Sequence, residues 1–318
     1  KVLILFSGPK QRPDGLAAYL RSFGWRVVEV DILIGAEAHD VTSHVVAATL
    51  ITRTANGEFA AVFLAPPCSS YSVAHRPKLR SAAQPEGITP IPSEWTAYLA
   101  KHNAITAAAF DIVEAALMAG ADVLVENPAD RGYVDGPAFW HQHRDHGSLW
   151  RTARARAAGL THLTFAQCAF GAVWQKWTTI AASPSMIECT ATLAERGCAH
   201  GTGRHAQQAR GVDSSGASRA SQAAAYPAML NAFIAIAFEA ARAMRRAKGR
   251  QPPRARPDDD PPTRVCVDLA PIVAQAVLAA RHAPPRFASE ANRHPAASTA
   301  VRAAPFPNRI TGVMVTSA

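Results

Sequence analysis

Short apolar runs of strand length alternate along this chain with segments of helical period, and few architectures accept that order. Val2 to Phe6 is an unbroken apolar run. Asp14 to Phe23 then places Leu16, Tyr19, Leu20 and Phe23 at helical spacing, with Asp14 as the N-cap and Gly24 as the stop. Trp25 to Ile32 is rich in β-branched residues and passes through Asp31. A short helix around Ser43 to Leu50 precedes a strand over Phe59 to Leu64. Lys101 to Met118 carries Ile105, Ala108, Ile112, Ala115 and Ala116 on one helical face. Val123 to Val125, and Leu163 to Phe165 with Gln167, read as further strands. Strands alternating with helices predict an α/β fold built on a doubly wound, mostly parallel sheet. No internal repeat is present.

The ends of two predicted strands carry the chemistry. Ala61 to Leu64 leads into Ala65-Pro66-Pro67-Cys68-Ser69-Ser70, and Val123-Leu124-Val125 into Glu126-Asn127-Pro128. Open parallel sheets bind ligands at the carboxyl ends of their strands. A thiol and a carboxyl delivered there suit a nucleophile and a proton donor. The two prolines stiffen the backbone just before Cys68. Asn127 can take over loop capping, which leaves Glu126 free for chemistry. The turn Phe6-Ser7-Gly8-Pro9 sits between the first strand and the first helix, where doubly wound folds wrap a cofactor and glycine lets the backbone approach. Asp31, at the end of the second strand, is placed to hold ribose hydroxyls. Asp40 is placed to accept from an adenine amino group.

Composition narrows the class. The 318 residues are 48% hydrophobic, enough for one core plus an appendage. The most apolar helical stretch, Ala228 to Met244, is broken by Glu239 and Arg242, so no membrane span is expected. Lys1 runs straight into a core strand, not a secretory leader, and a first residue other than Met suggests a trimmed or partial chain. Five scattered cysteines do not form a disulfide framework and suggest a reducing, intracellular compartment. A net charge of +9 favours a polyanionic partner, although much of the arginine lies near the C-terminus. Residues 1–245 read as one catalytic domain. From 246 onward, Pro, Arg and Ala dominate, which predicts a largely disordered tail with one possible helix over Val265 to Arg281. The Pro- and Ser-rich segment Ser69 to Glu94, directly after Cys68, predicts a lid.

In order, Phe6-Ser7-Gly8, Pro66-Pro67-Cys68 and Glu126-Asn127 resemble the F-x-G, P-P-C and E-N motifs of the C5-cytosine DNA methyltransferases. The chain is most similar to the compact, divergent branch of that family found in phages, large viruses and retroelement-type sequences. That likeness also rests on Phe165-Ala166-Gln167-Cys168-Ala169-Phe170-Gly171, on Gln175-Lys176 with Thr178-Thr179, on Cys198, His200 and His205, and on Ala225-Tyr226-Pro227 with Asn231. It covers about residues 2–242.

The resemblance implies a Rossmann-like S-adenosylmethionine-dependent methyltransferase fold and cytosine, in DNA or RNA, as substrate. It implies that Cys68 attacks C6 of a cytosine taken out of the stack, that Glu126 binds the ring at N3, and that Lys176 supplies positive charge. It places Phe6, Ser7, Gly8, Pro9, Asp31, Asp40, Pro66 and Asn231 around S-adenosylmethionine. Departures from the family pattern are Ser69 in place of Gln, Pro9 and Lys10 in place of a second Gly, and Pro128 after Glu126-Asn127. Little chain remains between Lys176 and Tyr226 for a separate target-recognition domain. Two rival readings stay open: an amino-methyltransferase, which needs no Cys, and an inactive nucleic-acid-binding domain of a larger polyprotein. Cys168, Cys189, Cys198, His200 and His205 include zinc-ligand types, but their spacing matches no compact zinc signature, and no metal is expected. The Trp174-Gln175-Lys176-Trp177 segment combines aromatic and basic groups suited to stacking on bases.

Overall fold

The computed structural model describes residues 1–8, 12–200 and 219–247, with single positions at 205, 207, 211, 214, 216 and 249. Pro9 and Lys10, and the expected tail beyond Ala247 with its helix over Val265 to Arg281, lie outside the described residues. Six strands, β1 (Val2–Leu5), β2 (Val27–Val30), β3 (Ala61–Leu64), β4 (Asp122–Pro128), β5 (Thr161–Ala166) and β6 (Trp177–Ala182), form one sheet in the order β2-β1-β3-β4-β6-β5. The first four are parallel, and β6 runs antiparallel to both β4 and β5. The helices are α1 (Leu16–Ser22), α2 (Ile32–Gly35), α3 (His44–Ala55), α4 (Ser93–Met118), α5 (Ala153–Ala157), α6 (Pro184–Thr190), α7 (Arg219–Gln222) and α8 (Ala228–Ala247). The protein is therefore α/β, with a mostly parallel sheet flanked by helices.

Strand periodicity divides the core into two layers. Leu3, Leu5, Val62, Leu64, Val123 and Val125 face Leu50 of α3 and Ala109, Ile112 and Val113 of α4. Val2, Ile4, Phe63 and Leu124 face Leu16 and Leu20 of α1, Met186 of α6 and Leu230, Ile234 and Phe238 of α8. Burial on both faces explains why β1 and β3 are continuous apolar runs rather than alternating ones. The spacing of Leu230, Ile234, Phe238 and Ala241 gives α8 one apolar stripe. Each of its large buried side chains contributes roughly 1.5–3 kcal/mol. On that helix, Glu239 accepts from the Trp25 indole at 3.0 Å and Arg245 pairs with the fully buried Asp122.

Several elements differ from expectation. Gly15, in extended conformation and without a side chain to bond, is the N-cap of α1 in place of the expected Asp14, whose carboxylate pairs with Arg12 at 3.0 Å. The helix stops as expected at Gly24, whose φ of 76° suits glycine. α4 begins at Ser93 rather than Lys101. β4 extends past Val125 because Glu126, Asn127 and Pro128 pair with Ile180, Thr179 and Thr178 of β6. β6 itself was not foreseen: Thr178 and Thr179 weaken its apolar pattern. Both are buried, with hydroxyls that bond Gln167 (2.9 Å) and Thr164 (2.7 Å).

The segment after Cys68, where a lid is expected, is tied to the body of the fold at Tyr71 and Arg80. The Tyr71 hydroxyl meets that of Thr106 at 3.0 Å. The Arg80 guanidinium, 2% exposed, lies 3.8 Å from the Tyr71 ring centre and donates to Ser70 Oγ and the Pro85 carbonyl. Among the described residues, no helix is long and apolar enough to cross a membrane.

Candidate active site

The chain winds outward in opposite directions from β1, to β2 on one side and through β3 to β4 on the other. Such a reversal is the switch point at which doubly wound sheets bind ligands, at the carboxyl ends of β1 and β3. The loop of residues 6–8 leaves β1 there, and the Pro-Pro-Cys loop leaves β3 beside it.

The first loop is sharply turned. Phe6 has φ 64° and Gly8 φ 77°. A non-glycine residue in that region stores roughly 1–3 kcal/mol, and such strain concentrates at functional sites. The Phe6 N–H donates to the Val30 carbonyl (2.8 Å), and the Gly8 N–H to Asp31 Oδ2 (2.9 Å). The other Asp31 oxygen caps α2 through the Leu33 N–H at 2.8 Å. Asp31 thus braces the loop with one oxygen and caps α2 with the other. No atom lies within 4 Å of the point where a Gly8 Cβ would sit, so Gly8 is needed for its φ and borders open space. Asp40 lies further out, and the Thr42 hydroxyl (2.7 Å) and N–H (2.9 Å) hold its carboxyl below the usual range.

Cys68 heads a short 3₁₀ turn, and its carbonyl accepts from the Tyr71 N–H at 3.0 Å. Asn127 fixes the loop from below: it is fully buried, and its Nδ2 donates to the Pro66 carbonyl at 2.9 Å. Pro66 is therefore held through its backbone by Asn127, a bond in which Glu126 takes no part. Burial pushes the Cys68 thiol above its ordinary pKa; Lys176 pulls it back, and Glu126 pushes it further up.

Glu126 is 4% exposed. Its Oε2 accepts from the Tyr226 hydroxyl at 2.7 Å, and its Oε1 lies 3.8 Å from Lys176 Nζ with no hydrogen-bond partner of its own. Lys176 reaches this edge because β6 is antiparallel, which brings the residue before its first position to the end where β3 and β4 finish. The Gln167 N–H grips the Lys176 carbonyl at 2.9 Å. The Tyr226 ring stands edge-on to Phe63 (6.1 Å between centres) and lies 5.5 Å from the Lys176 ammonium. Burial, then the Glu126 charge, holds the Tyr226 phenol well above its ordinary pKa. A thiol, a buried carboxyl with one unsatisfied oxygen and an ammonium thus converge. Such a set can add sulfur to an electron-poor ring while binding an edge of that ring.

Two other residues act as positioning groups. Asn231, 2% exposed, donates from Nδ2 to the Asp14 carbonyl (2.8 Å) and anchors the entry to α1 rather than turning its amide to a ligand. Ser69, at the family's Gln position, takes a bond from the Tyr98 hydroxyl (2.8 Å) and meets His102 Nε2 at 3.3 Å. Burial, reinforced by Arg80, pulls His102 down to about 4.

Tyr226 is not among the expected site residues, although Ala225-Tyr226-Pro227 is one of the segments that carry the family resemblance. The sequence reading also gave no role to His102, which lies within a helix with no motif around it. A groove of about 700 Å³ opens beside the Cys68 turn, running from Ser70 and Tyr71 past Arg76, Lys78, His141, His143 and Arg144. A larger cavity of about 1100 Å³, bordered by Asp130, Trp150, Arg151, Arg156 and His162, includes none of the expected site residues. The sequence matches no model of a known protein family and no curated protein.

Proposed function

We propose that this protein is an S-adenosylmethionine-dependent methyltransferase acting on C5 of cytosine in nucleic acid, DNA foremost, on a Rossmann-like fold. One observation carries the reading. Cys68, Glu126, Lys176 and Tyr226, from four separate stretches of chain, meet at the carboxyl edge beside the turned loop of Phe6 to Gly8.

The residues present fit the cofactor. Gly8 borders open space, Asp31 follows β2 and takes the Gly8 N–H, and Asp40 lies nine residues further along the chain; both aspartates carry carboxylates able to accept from hydroxyl and amino groups. Phe6, Ser7, Gly8, Asp31, Asp40 and Pro66 would hold it, with Asn231 steadying the adjoining loop. S-adenosylmethionine, when bound, supplies the methyl group. Cys68 loses its thiol proton to solvent as the substrate binds, with Lys176 favouring the thiolate against burial; its sulfur then bonds to C6 of the flipped cytosine, and the ring electrons move toward C5. Glu126 takes up a proton as the base binds and donates a hydrogen bond from Oε1, the oxygen without a partner, to the ring at N3. Lys176 offsets negative charge near the sulfur and the ring. C5 would use those electrons to take the methyl group; its proton is then lost to solvent, the electron pair left behind re-forms the C5–C6 double bond, and Cys68 leaves C6 as thiolate, which restores aromaticity. The groove lined by Arg76, Lys78 and Arg144 supports a polyanion running past the site.

The test uses oligonucleotides carrying 5-fluorocytosine, in DNA and in RNA, incubated with the full chain and S-adenosylmethionine. The fluorine cannot leave as a proton does, so turnover stops at a covalent adduct. We expect an adduct that maps to Cys68 and vanishes in Cys68→Ala. Tritium transfer surviving in Cys68→Ser would instead select an amino-methyltransferase. Neither adduct nor transfer on any substrate would refute catalysis and leave only a binding domain.

A further inference from the structure

Four side chains that the proposed reaction does not use meet at the β5–β6 turn. Cys168 follows the end of β5, and Cys198, His200 and His205 come from the segment after α6. One ligand atom from each lies within 4.8 Å of all the others. Cys198 Sγ is 3.3 Å from His205 Nε2 and 4.0 Å from His200 Nδ1, and the two imidazole centres are 4.6 Å apart. A tetrahedral zinc with sulfur at about 2.3 Å and nitrogen at about 2.0–2.1 Å places its ligands roughly 3.3–3.8 Å from each other. The observed separations bracket that range. Cys189, a candidate by residue type, is not in the cluster; it lies near Asp122 and Glu188.

We propose that Cys168, Cys198, His200 and His205 form a structural zinc site that clasps Cys198, His200 and His205 to the β5–β6 turn. The donor set selects the metal: two sulfurs and two imidazoles suit zinc, whereas calcium and magnesium require oxygen ligands. All four positions are filled by protein, which marks a structural rather than a catalytic centre. Both thiols bind as thiolates, so two protons leave as the metal enters.

The surroundings match those of a metal site. Gln175 Nε2 points at Cys198 Sγ from 3.9 Å, an amide donor toward a ligand sulfur. The Arg196 carbonyl takes the Ala166 N–H at 2.8 Å, and Gln207 donates its N–H to the Val173 carbonyl at 3.1 Å, so the two segments are already stitched on both sides of the cluster. The neighbour of Cys168, Gln167, holds the Lys176 carbonyl. The clasp therefore also steadies the strand start that carries Lys176, but its existence does not depend on the proposed methyltransferase reading.

The test is metal analysis of the full chain purified under reducing conditions without chelator. We expect about one zinc per chain. Cobalt(II) replacing the zinc should show the intense visible bands of a tetrahedral site and a sulfur-to-cobalt charge-transfer band. Cys198→Ser and His205→Ala should each weaken metal retention by more than about tenfold, the lower bound seen when even an outer partner is lost. Cys189→Ser should leave it unchanged. If the ligand variants fail to fold, the cobalt spectrum of the unaltered chain decides alone. Overturning results are a chain that retains no zinc, a cobalt spectrum without thiolate bands, a Cys168–Cys198 disulfide under the same conditions, or equal metal loss in Cys189→Ser.

Discussion

Replacing Tyr226 with Phe isolates one bond at the centre of the site. The ring stays, and with it the edge contact to Phe63 at 6.1 Å and the Lys176 ammonium 5.5 Å above it. Only the hydroxyl goes, and with it the 2.7 Å bond to Glu126 Oε2. Glu126 is 4% exposed and its other oxygen has no hydrogen-bond donor. The variant therefore leaves a buried carboxyl with no hydrogen bond and one cation 3.8 Å away. A hydrogen bond to a charged group contributes about 1.5–3 kcal/mol. A domain of about 150–250 residues shifts by about 2–4 °C per kcal/mol, so Tm should fall by roughly 3–12 °C. The same change in a Glu126→Gln background removes a bond to a neutral amide, worth about 0.5–1.5 kcal/mol, so the loss should be about half as large. Urea and thermal unfolding of the four proteins measure both quantities. A Tyr226→Phe variant as stable as the parent, or one equally destabilised in both backgrounds, would refute the placement of this hydroxyl on a buried charge.

Three further outcomes follow from the same coordinates. Alkylation of Cys68 by iodoacetamide, read by peptide mass spectrometry across pH, should rise only at alkaline pH because burial holds the thiol up. Lys176→Met should move that rise to still higher pH and Glu126→Gln to lower pH; shifts of the opposite sign would contradict the arrangement. His102, held at about 4, should stay neutral in nuclear magnetic resonance titrations above pH 5. The unfolded chain binds its proton near pH 6.5, so His102 contributes roughly 2–4 kcal/mol that is present above pH 6.5 and lost as pH falls toward 4; His102→Gln should flatten that slope. Arg245→Met removes the cation paired with Asp122, whose carboxyl burial already holds above its ordinary pKa, and should cost about 3–5 kcal/mol in urea unfolding, most of it regained in Asp122→Asn with Arg245→Met.

The sheet was legible because its central strands are buried on both faces. Val2 to Leu5 and Ala61 to Leu64 can be continuous apolar runs only in a core covered by helices on two sides, and that burial is written directly into residue type. The placement of Cys68 and Glu126 was legible for the same reason: each follows such a run, and in parallel strands the residue after the run lies at the ligand-binding edge. The division of labour between Glu126 and Asn127 follows from strand alternation, which sends one side chain to each face. What stayed hidden depends on pairing across long separations. Thr178 and Thr179 make a core strand only because Gln167 and Thr164 satisfy their hydroxyls, and Arg80 is buried only because Ser70, Pro85 and Tyr71 surround it.

Local sequence, then, determined the alternating order of elements, the two reactive strand ends and the glycine-bearing turn, since each arises from neighbouring residues and their periodicity. Tertiary structure alone decided that β6 runs antiparallel and so carries Lys176 to Glu126, that Tyr226 crosses 100 residues to bond that carboxyl, and that two cysteines and two histidines with no compact spacing gather at one turn. These meetings are set by chain reversal and packing, and no local pattern encodes which distant partner a side chain will find.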